Sequence, residues 1–298
     1  MPGIPIRYQS ADEDSSRWAD FPFRPGDIVI STRSKCGTTW MQMICALLIF
    51  GDSVLPARLS TLSPWLDWLG SPRTQVFDRL AAQTHRRFIK THTPLDGLPL
   101  DPHATYIVVG RHPLDMAVSL YHHVDNLNRE RIAMLTGHDD PPPPRRTRPG
   151  LREWLLAWID RDVAPGEQLD SLPGVLWHLS DTWARRAAPN VVLIHYDDLL
   201  ADLDGEMRRL AERLGILLPA ARWSALVEAA SFDHMRGQAD QLAPNPDGVL
   251  NSSSAFFRRG RSGAGREQLT DAELEHYRTR AARMVPSDLF AWLHRDSA

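Results

Sequence analysis

Four short runs rich in valine, isoleucine and phenylalanine constrain the fold more than any other feature of the sequence. They lie at Ile28–Ser31, Phe88–Lys90, Tyr106–Val109 and Val191–Ile194. The segments between them carry helical patterns, and this alternation is typical of βαβ units around a parallel sheet that is buried on both faces. We therefore predict an α/β fold with a central parallel sheet flanked by helices on both faces.

The length of the chain and the positions of its irregular segments favour a single domain over residues 1–298, with residues 1–24 as an N-terminal extension. The segment GHDDPPPPRRTRPG, residues 137–150, breaks all periodicity because consecutive prolines continue neither a helix nor a central strand. It predicts a Pro/Arg-rich loop. A second irregular stretch covers residues 236–266, and no linker separates two domains.

The charge and cysteine content narrow the possible partners. A formal net charge of −3 gives no global attraction for nucleic acid, so local clusters must recognise any anion. Cys36 and Cys45 lie on or beside one predicted helix, which fits a reducing compartment. The longest apolar run, Met43–Phe50, is too short to cross a bilayer. We expect a cytoplasmic protein with no nucleic-acid partner and no transmembrane segment.

The turn after the first run, in VISTRSKCGTTW, carries Arg33, Lys35 and Gly37 and leads directly into a helical pattern. Backbone N–H groups and the positive end of the helix dipole converge at such a turn, where phosphate-like groups bind. The nucleotide triphosphate motif G-x-x-x-x-G-K-[ST] is absent because Lys35 precedes Gly37. The alternative is a strand-to-helix turn that happens to contain polar residues.

A second turn of this kind follows the third run. Arg111 ends the run, Pro113 stands at a plausible first helical position, and Ser119 follows in the helix, so Arg111 and Ser119 could contact one phosphate. A surface ion pair between Arg111 and Asp115 is the alternative.

Two further segments contain side chains suited to binding an anion or accepting a proton. FFRRGRSGAGR, with Arg258 and Arg259, predicts a basic loop that closes on an anion, although a solvated charge run is equally possible. Lys90 and His92 stand two residues apart and would face the same side of a strand, where the imidazole is suited to accept a proton near neutral pH. A structural role for His92 is the alternative. No metal site is expected, since no set of ligands has a suitable spacing.

In this order and spacing, the segments resemble the soluble, PAPS-dependent sulfotransferases from about Asp27 to about Glu275. The family patterns and the matching residue ranges are Y-P-K-S-G-T-[ST]-W at 33–40, K-[ST]-H-x-P at 90–94, R-[ND]-[PA]-x-D-x-x-V-S at 111–119, Y-E-D at 196–198, S-F at 231–232 and R-K-G-x-x-G-D-W-K at 258–266.

This resemblance implies a P-loop nucleotide-kinase-like architecture and an enzyme that needs no metal. The donor would be 3′-phosphoadenosine 5′-phosphosulfate (PAPS), the product adenosine 3′,5′-bisphosphate (PAP), and the acceptor a hydroxyl or amine of a hydrophobic small molecule or lipid-linked compound. His92 would be the general base, Lys35 would stabilise the leaving phosphate, and Lys90 the transferring sulfuryl group. The residues implied to bind the nucleotide are Arg33, Ser34, Lys35, Cys36, Gly37, Thr38, Thr39, Trp40, Arg111, Ser119, Tyr196, Ser231, Phe232, Phe257, Arg258, Arg259 and Gly260. The 236–266 segment would cover nucleotide and acceptor.

Several positions depart from the family patterns. Cys36 replaces a serine, and Ala264 with Gly265 replaces an Asp-Trp pair in the closing loop. The family dimer motif survives only partly, with Asp271 where a valine packs, so the oligomeric state stays open.

The sequence leaves alternatives open for the acceptor site and for the type of reaction. The apolar segment that contains Trp65 and Trp68 would form a wall of the acceptor site, unless it serves only helix packing. The competing functions are a small-molecule or nucleotide kinase and a non-catalytic protein that binds PAP.

Overall fold

A parallel sheet forms the centre of the chain in a computed structural model, which describes residues 4–137, 148–245 and 247–295. Within these residues its strands are β1 (Ile28–Ser31), β2 (Phe88–Thr91), β3 (Thr105–Gly110) and β4 (Val191–His195). All neighbours are parallel, in the order β2-β1-β3-β4. The four predicted runs are therefore confirmed as the strands of a parallel sheet, with ends that differ by a residue or less.

Helices connect the strands. The α-helices of the described residues are α1 (Thr38–Phe50), α2 (Leu59–Leu62), α3 (Arg73–Ala82), α4 (Pro113–Asn126), α5 (Arg129–Thr136), α6 (Leu151–Asp160), α7 (Leu172–Ala184), α8 (Tyr196–Ala201), α9 (Leu203–Arg213), α10 (Trp223–Ala229), α11 (Phe232–Gly237), α12 (Ala239–Leu242), α13 (Ser253–Phe256), α14 (Asp271–Ala282) and α15 (Ser287–Leu293). Short 3-10 helices occur at Ser15–Trp18, Leu95–Gly97, Ala220–Arg222 and Arg266–Gln268.

Alternate residues of each strand point to opposite faces of the sheet, and each face is buried against its own helices. Val29 and Val108 pack with residues of α4, α7, α14 and α15 on one face. Ile28, Ile30 and Val109 pack with residues of α1, α9 and α10 on the other. The predicted cover of helices on both faces is confirmed, and it explains why the strands are continuous apolar runs.

The segment that precedes β1 is packed against the body of the protein. Trp18 is fully buried in the same cluster as Val29, and its indole N–H donates to Asp67 at 3.2 Å. Glu13 forms an isolated antiparallel bridge with Trp68. The predicted N-terminal extension therefore contributes to the core and reaches the acceptor segment predicted from the sequence.

Three further sequence predictions concern the Pro/Arg-rich loop, the two cysteines and transmembrane helices. Residues 138–147 of the predicted Pro/Arg-rich loop lie outside the described residues. Cys36 and Cys45 are buried free thiols. None of the described helices is long and apolar enough to cross a membrane.

Candidate active site

A cavity of about 540 Å³ opens at the carboxyl ends of the strands, where ligands bind in parallel α/β sheets. Lys35 follows β1, His92 follows β2, and Arg111 follows β3, and all three line the cavity together with Arg258 from a distant part of the chain. The predicted site residues that line it are Arg33, Ser34, Lys35, Gly37, Thr38, Thr39, Trp40, Lys90, His92, Arg111, Ser119, Tyr196, Phe232, Phe257, Arg258, Arg259 and Gly260.

The turn after β1 has the backbone geometry of an anion site. Lys35 and Gly37 have positive φ angles of 65° and 99°, and Gly37 is the N-cap of α1 without a side-chain cap. A Cβ atom at Gly37 would lie 3.1 Å from the Tyr196 ring, so the positive φ angle favours glycine and the close ring adds to this preference. The first amides of a thirteen-residue helix thus border the cavity without a capping side chain.

The side chain of Lys35 lies among other cations. Its Nζ is 3.8 Å from the centre of the Phe256 ring. Burial, followed by the charges of Arg111, Lys90 and Arg258, lowers the pKa of Lys35 to about 7. Cations that repel one another in this way are stabilised by a multiply charged anion.

Arg111 is buried and oriented by two contacts. Its guanidinium lies 4.2 Å from the centre of the Tyr196 ring and donates a hydrogen bond to the Lys35 carbonyl at 2.8 Å. Asp115 instead accepts hydrogen bonds from the backbone N–H groups of Gly263 and Gly265, each at 2.8 Å. The alternative in which Asp115 serves only as a surface partner of Arg111 is therefore wrong.

These hydrogen bonds anchor the basic loop, in which Ala264 and Gly265 replace the Asp-Trp pair of the family pattern. Ala264 is buried, and a Cβ atom at Gly265 would lie 2.4 Å from the Cβ of Leu114. Small residues therefore let this loop approach the start of α4, and Asp115 fixes it there. Arg258 and Arg259 are carried to the cavity on the same loop.

Aromatic side chains form another wall. The rings of Trp40 and Tyr196 meet edge to face with centroids 5.3 Å apart, and the Trp40 indole N–H donates to the Ala230 carbonyl at 2.8 Å. The rings of Phe232 and Phe257 lie 6.4 Å apart. This wall is suited to a flat heterocycle.

His92 is held as a neutral proton acceptor. Its Nδ1 is hydrogen-bonded to the Thr32 carbonyl, which only accepts, so Nδ1 carries the proton and Nε2 is the unprotonated nitrogen. Burial, followed by the charges of Lys90 and Arg33, lowers the pKa of His92 well below its usual value.

Lys90 and His92 both contact the ring of Trp65, so their side chains lie on the same side of the chain at the end of β2. Lys90 Nζ lies 4.0 Å from the Trp65 ring centre, and the His92 and Trp65 centroids are 4.8 Å apart. Burial lowers the pKa of Lys90 to about 8. A proton acceptor and a cation are therefore adjacent in the cavity.

Three of the residues predicted to bind the nucleotide have side chains that contact protein groups or lie outside the cavity lining. The Arg33 guanidinium donates to Asp170 at 2.6 Å and to the His92 carbonyl, so this cation is already paired. Cys36 is buried outside the cavity lining, and Ser231 caps α11 by accepting from the His234 N–H at 3.3 Å. The side chains of Arg33 and Ser231 therefore have protein partners, and the nucleotide contacts of all three residues stay predictions.

Sequence reasoning missed two acidic residues of the cavity, Glu13 and Asp170. Both contact Arg33, with Glu13 Oε1 3.9 Å from Arg33 Nη1. Neither belongs to a motif, and the only local signal is that Glu13 lies within the short acidic run at 12–14.

A family model described as a sulfotransferase domain matches residues 25–284. A glycolipid sulfotransferase of Mycobacterium bovis is 42% identical over 97% of this chain and 94% of its own length, and one of Mycobacterium tuberculosis is equally similar. Sulfotransferase 1A1 of Canis lupus familiaris is 28% identical over 92% of this chain and 88% of its own.

Solved structures share the fold. Retinol dehydratase in complex with retinol and PAP has a TM-score of 0.68 at 21% identity, covering 92% of this chain and 85% of that protein. A mouse sulfotransferase complexed with PAP has a TM-score of 0.68 at 20% identity, covering 93% of this chain and 90% of that protein. The predicted P-loop-like α/β architecture is confirmed by these structures.

Proposed function

The chain belongs to the sulfotransferase domain family, as its sequence predicted, and from this premise we propose that it transfers a sulfuryl group from PAPS to a hydroxyl of a glycolipid. The observation that carries the proposal is the convergence of Lys35, Arg111 and Arg258 on one cavity beside a neutral His92. The glycolipid class comes from the mycobacterial relatives and fits a cavity that combines apolar and polar walls.

The donor binds at the turn after β1 and at the basic loop. The amides and hydroxyls of Gly37–Thr39 hold the 5′-phosphate, while Arg111, Ser119 and Arg258 hold the 3′-phosphate. Arg111 is suited to this role because its contacts with Tyr196 and the Lys35 carbonyl orient the guanidinium. The paired guanidinium of Arg33 has no part in this proposal.

The adenine base lies between Trp40 and Phe232, with Tyr196 at its edge. Phe257 closes the same wall from the loop that carries Arg258. Binding of the base and binding of the 3′-phosphate therefore depend on one another through this loop.

Transfer requires in-line positioning and stabilisation of charge. The donor supplies an activated sulfuryl group. His92 Nε2 accepts the proton of the acceptor hydroxyl, and the Thr32 carbonyl holds the ring in the tautomer that permits this. The acceptor oxygen then bonds to sulfur as the bond to the 5′-phosphate breaks. Lys90 stabilises the oxygens of the transferring group, and Lys35 stabilises the departing phosphate.

The test uses His92→Ala with labelled PAPS and a panel of glycolipids, lipophilic alcohols and phenols. The expected result is a loss of labelled product by about 10²-fold or more, since a general base contributes about 10²–10⁴-fold. PAP binding measured by calorimetry should persist.

The matched control is His103→Ala, because His103 is exposed and outside the cavity lining. Full activity of His92→Ala would contradict the assigned base. Binding of magnesium-ATP without binding of PAP would instead support a kinase, and PAP binding without sulfation of any acceptor would support a non-catalytic binding protein.

A further inference from the structure

Several buried polar atoms of residues that line the cavity have no hydrogen-bond partner among the described residues, and two of them belong to residues connected through Trp68. These two are the Oε2 atom of Glu13, an acceptor, and the indole Nε1 of Trp65, a donor. Both residues line the cavity. An unsatisfied buried polar atom costs about 1–3 kcal/mol, so each such atom in a native protein requires an explanation.

The two residues are joined through a stacked pair of indoles. Glu13 forms a backbone bridge with Trp68, and the Trp68 ring stacks on Trp65 with centroids 5.1 Å apart and an interplanar angle of 20°. Trp65 in turn meets the ring of His92 edge to face. A carboxylate oxygen, an indole donor and two aromatic rings thus stand beside the proposed catalytic base.

Glu13 is held in a fixed position. Its Oε1 lies 3.9 Å from Arg33 Nη1, and Arg33 is itself paired with Asp170. The backbone around it is fixed by hydrogen bonds from the Asp14 N–H to the Asp67 carbonyl at 3.0 Å and from the Leu69 N–H to the Asp12 carbonyl at 2.9 Å. One carboxylate oxygen therefore faces a cation while the other remains for a ligand.

We infer that Glu13 and Trp65, with the ring of Trp68, form a subsite for the hydroxyl groups of an uncharged sugar. A sugar hydroxyl both donates and accepts, so neighbouring hydroxyls can satisfy Glu13 Oε2 and Trp65 Nε1 together. The apolar C–H face of a pyranose packs on an indole ring. A carboxylate disfavours an anionic acceptor, while a simple phenol or alcohol has a single hydroxyl proton, which goes to His92 Nε2 and is therefore not available to Glu13.

This inference rests on the proposed glycolipid acceptor and deepens it, because it assigns the sugar to one part of the cavity. Burial, opposed by the charge of Arg33, raises the pKa of Glu13 to about 7. A carboxyl group accepts a hydrogen bond from a sugar hydroxyl in either protonation state, so the subsite does not depend on the charge of Glu13. The apolar residues Leu127, Ile132 and Leu250 line the cavity as well and provide a surface for the lipid chain.

The experiment measures kcat and KM of the intact protein with labelled PAPS for two acceptors. One is an octyl glycoside with free sugar hydroxyls, and the other is octanol. The variants are Glu13→Gln, which keeps the size of the side chain, Glu13→Ala, and Trp65→Phe, which keeps a ring and removes the donor. Glu153→Gln is the control, since Glu153 is exposed on α6 and outside the cavity lining.

The expected result is a fall of about tenfold or more in the ratio of kcat/KM for the glycoside to kcat/KM for octanol in Glu13→Ala and Trp65→Phe. A tenfold change corresponds to about 1.4 kcal/mol, the order of one lost hydrogen bond. The ratio is used because a general effect through Lys90 or His92 changes both acceptors. The loss should appear mainly in KM for the glycoside, and Glu153→Gln should leave the ratio unchanged.

Each other outcome decides against the inference. An unchanged ratio in folded variants, while the original protein sulfates the glycoside, overturns the sugar subsite and leaves the proposed function intact. Sulfation of octanol but not of the glycoside by the original protein overturns the glycolipid proposal itself. Thermal melting and PAP calorimetry of each variant show that it is folded, and the Trp65→Phe variant serves if Glu13→Ala does not fold.

Discussion

The surroundings of Lys35 and Lys90 lower the pKa of both ammonium groups. Burial is the largest cause for both, and for Lys35 the neighbouring Arg111 adds repulsion. Their pKa values fall to about 7 and about 8. His92 is neutral for the same reason, so the free protein already holds a base and two weakened ammonium groups beside one another.

This arrangement predicts that PAP binding is coupled to proton uptake. A bound polyanion raises the lysine pKa values, so between about pH 7 and pH 9 each lysine that was neutral takes up a proton on binding. Affinity should therefore decrease as pH rises, by at most about tenfold per pH unit for each lysine. Calorimetry in buffers of different ionisation enthalpy measures the number of protons taken up.

The control for that measurement is Lys35→Met, which removes one titrating group. It should reduce the proton uptake and lower kcat by about 10²–10³-fold, the effect of losing one donor to a developing anion. An affinity that is constant from pH 7 to pH 9 would contradict the assignment of these lysines.

The loop that carries Arg258 depends on α4. Asp115 in the first turn of α4 accepts from the N–H groups of both Gly263 and Gly265. The same helix begins beside Arg111, so one element positions the cation at the end of β3 and the cations of the basic loop. The start of this helix at Pro113 is predictable from the sequence, but the partner of Asp115 lies 148 residues away and no local pattern indicates it.

We predict that Asp115→Asn destabilises the protein and weakens PAP binding. Each N–H bond to the charged carboxylate contributes about 1.5–3 kcal/mol, and an amide oxygen accepts less strongly. Urea unfolding measures the stability, and limited proteolysis at residues 258–266 measures the release of the loop.

Asp204→Asn is the matched control for this element. Asp204 pairs with Arg208 on the exposed surface of α9, with a distance of 2.8 Å, and such pairs contribute about 0.3–0.5 kcal/mol. If the two variants change stability equally, Asp115 does not anchor the loop.

At the scale of the whole molecule, the N-terminal segment connects the core to the site. Trp18 is fully buried and donates to Asp67, and Asp67 accepts from the hydroxyls of Thr91 and Thr93, each at 2.6 Å. These threonines flank His92 in the sequence. Removal of this segment therefore affects both folding and the position of the base.

Trp18→Ala should lower the free energy of unfolding by about 3–5 kcal/mol, the usual cost of truncating a buried aromatic residue. Urea unfolding at equilibrium measures the change, and sulfation below the unfolding transition should fall as well because Asp67 loses a donor. Leu217→Ala is the control, since Leu217 is 96% exposed and should change stability by no more than about 0.5 kcal/mol. Equal stability of the two variants would show that the segment is a dispensable extension.

The parts predictable from sequence are those encoded by local patterns. The strands appear as apolar runs because both sheet faces are buried, and the turn before α1 appears as Lys35 and Gly37 because anion sites need cations and backbone freedom. Glu13 and Asp170 were not predictable, since only the fold brings them to Arg33. The pairing of Arg33 was missed for the same reason.

The proposed donor site and the proposed sugar subsite are built from different kinds of segment. Lys35 and Arg111 follow β1 and β3 directly, whereas Glu13 and Trp68 come from segments outside the sheet that also line the cavity. Substitution of these few lining positions should therefore change the acceptor preference more than the nucleotide affinity, because the sheet and the turns after β1 and β3 stay the same. Diversification of acceptors in such a scaffold can proceed by point substitutions in the cavity lining.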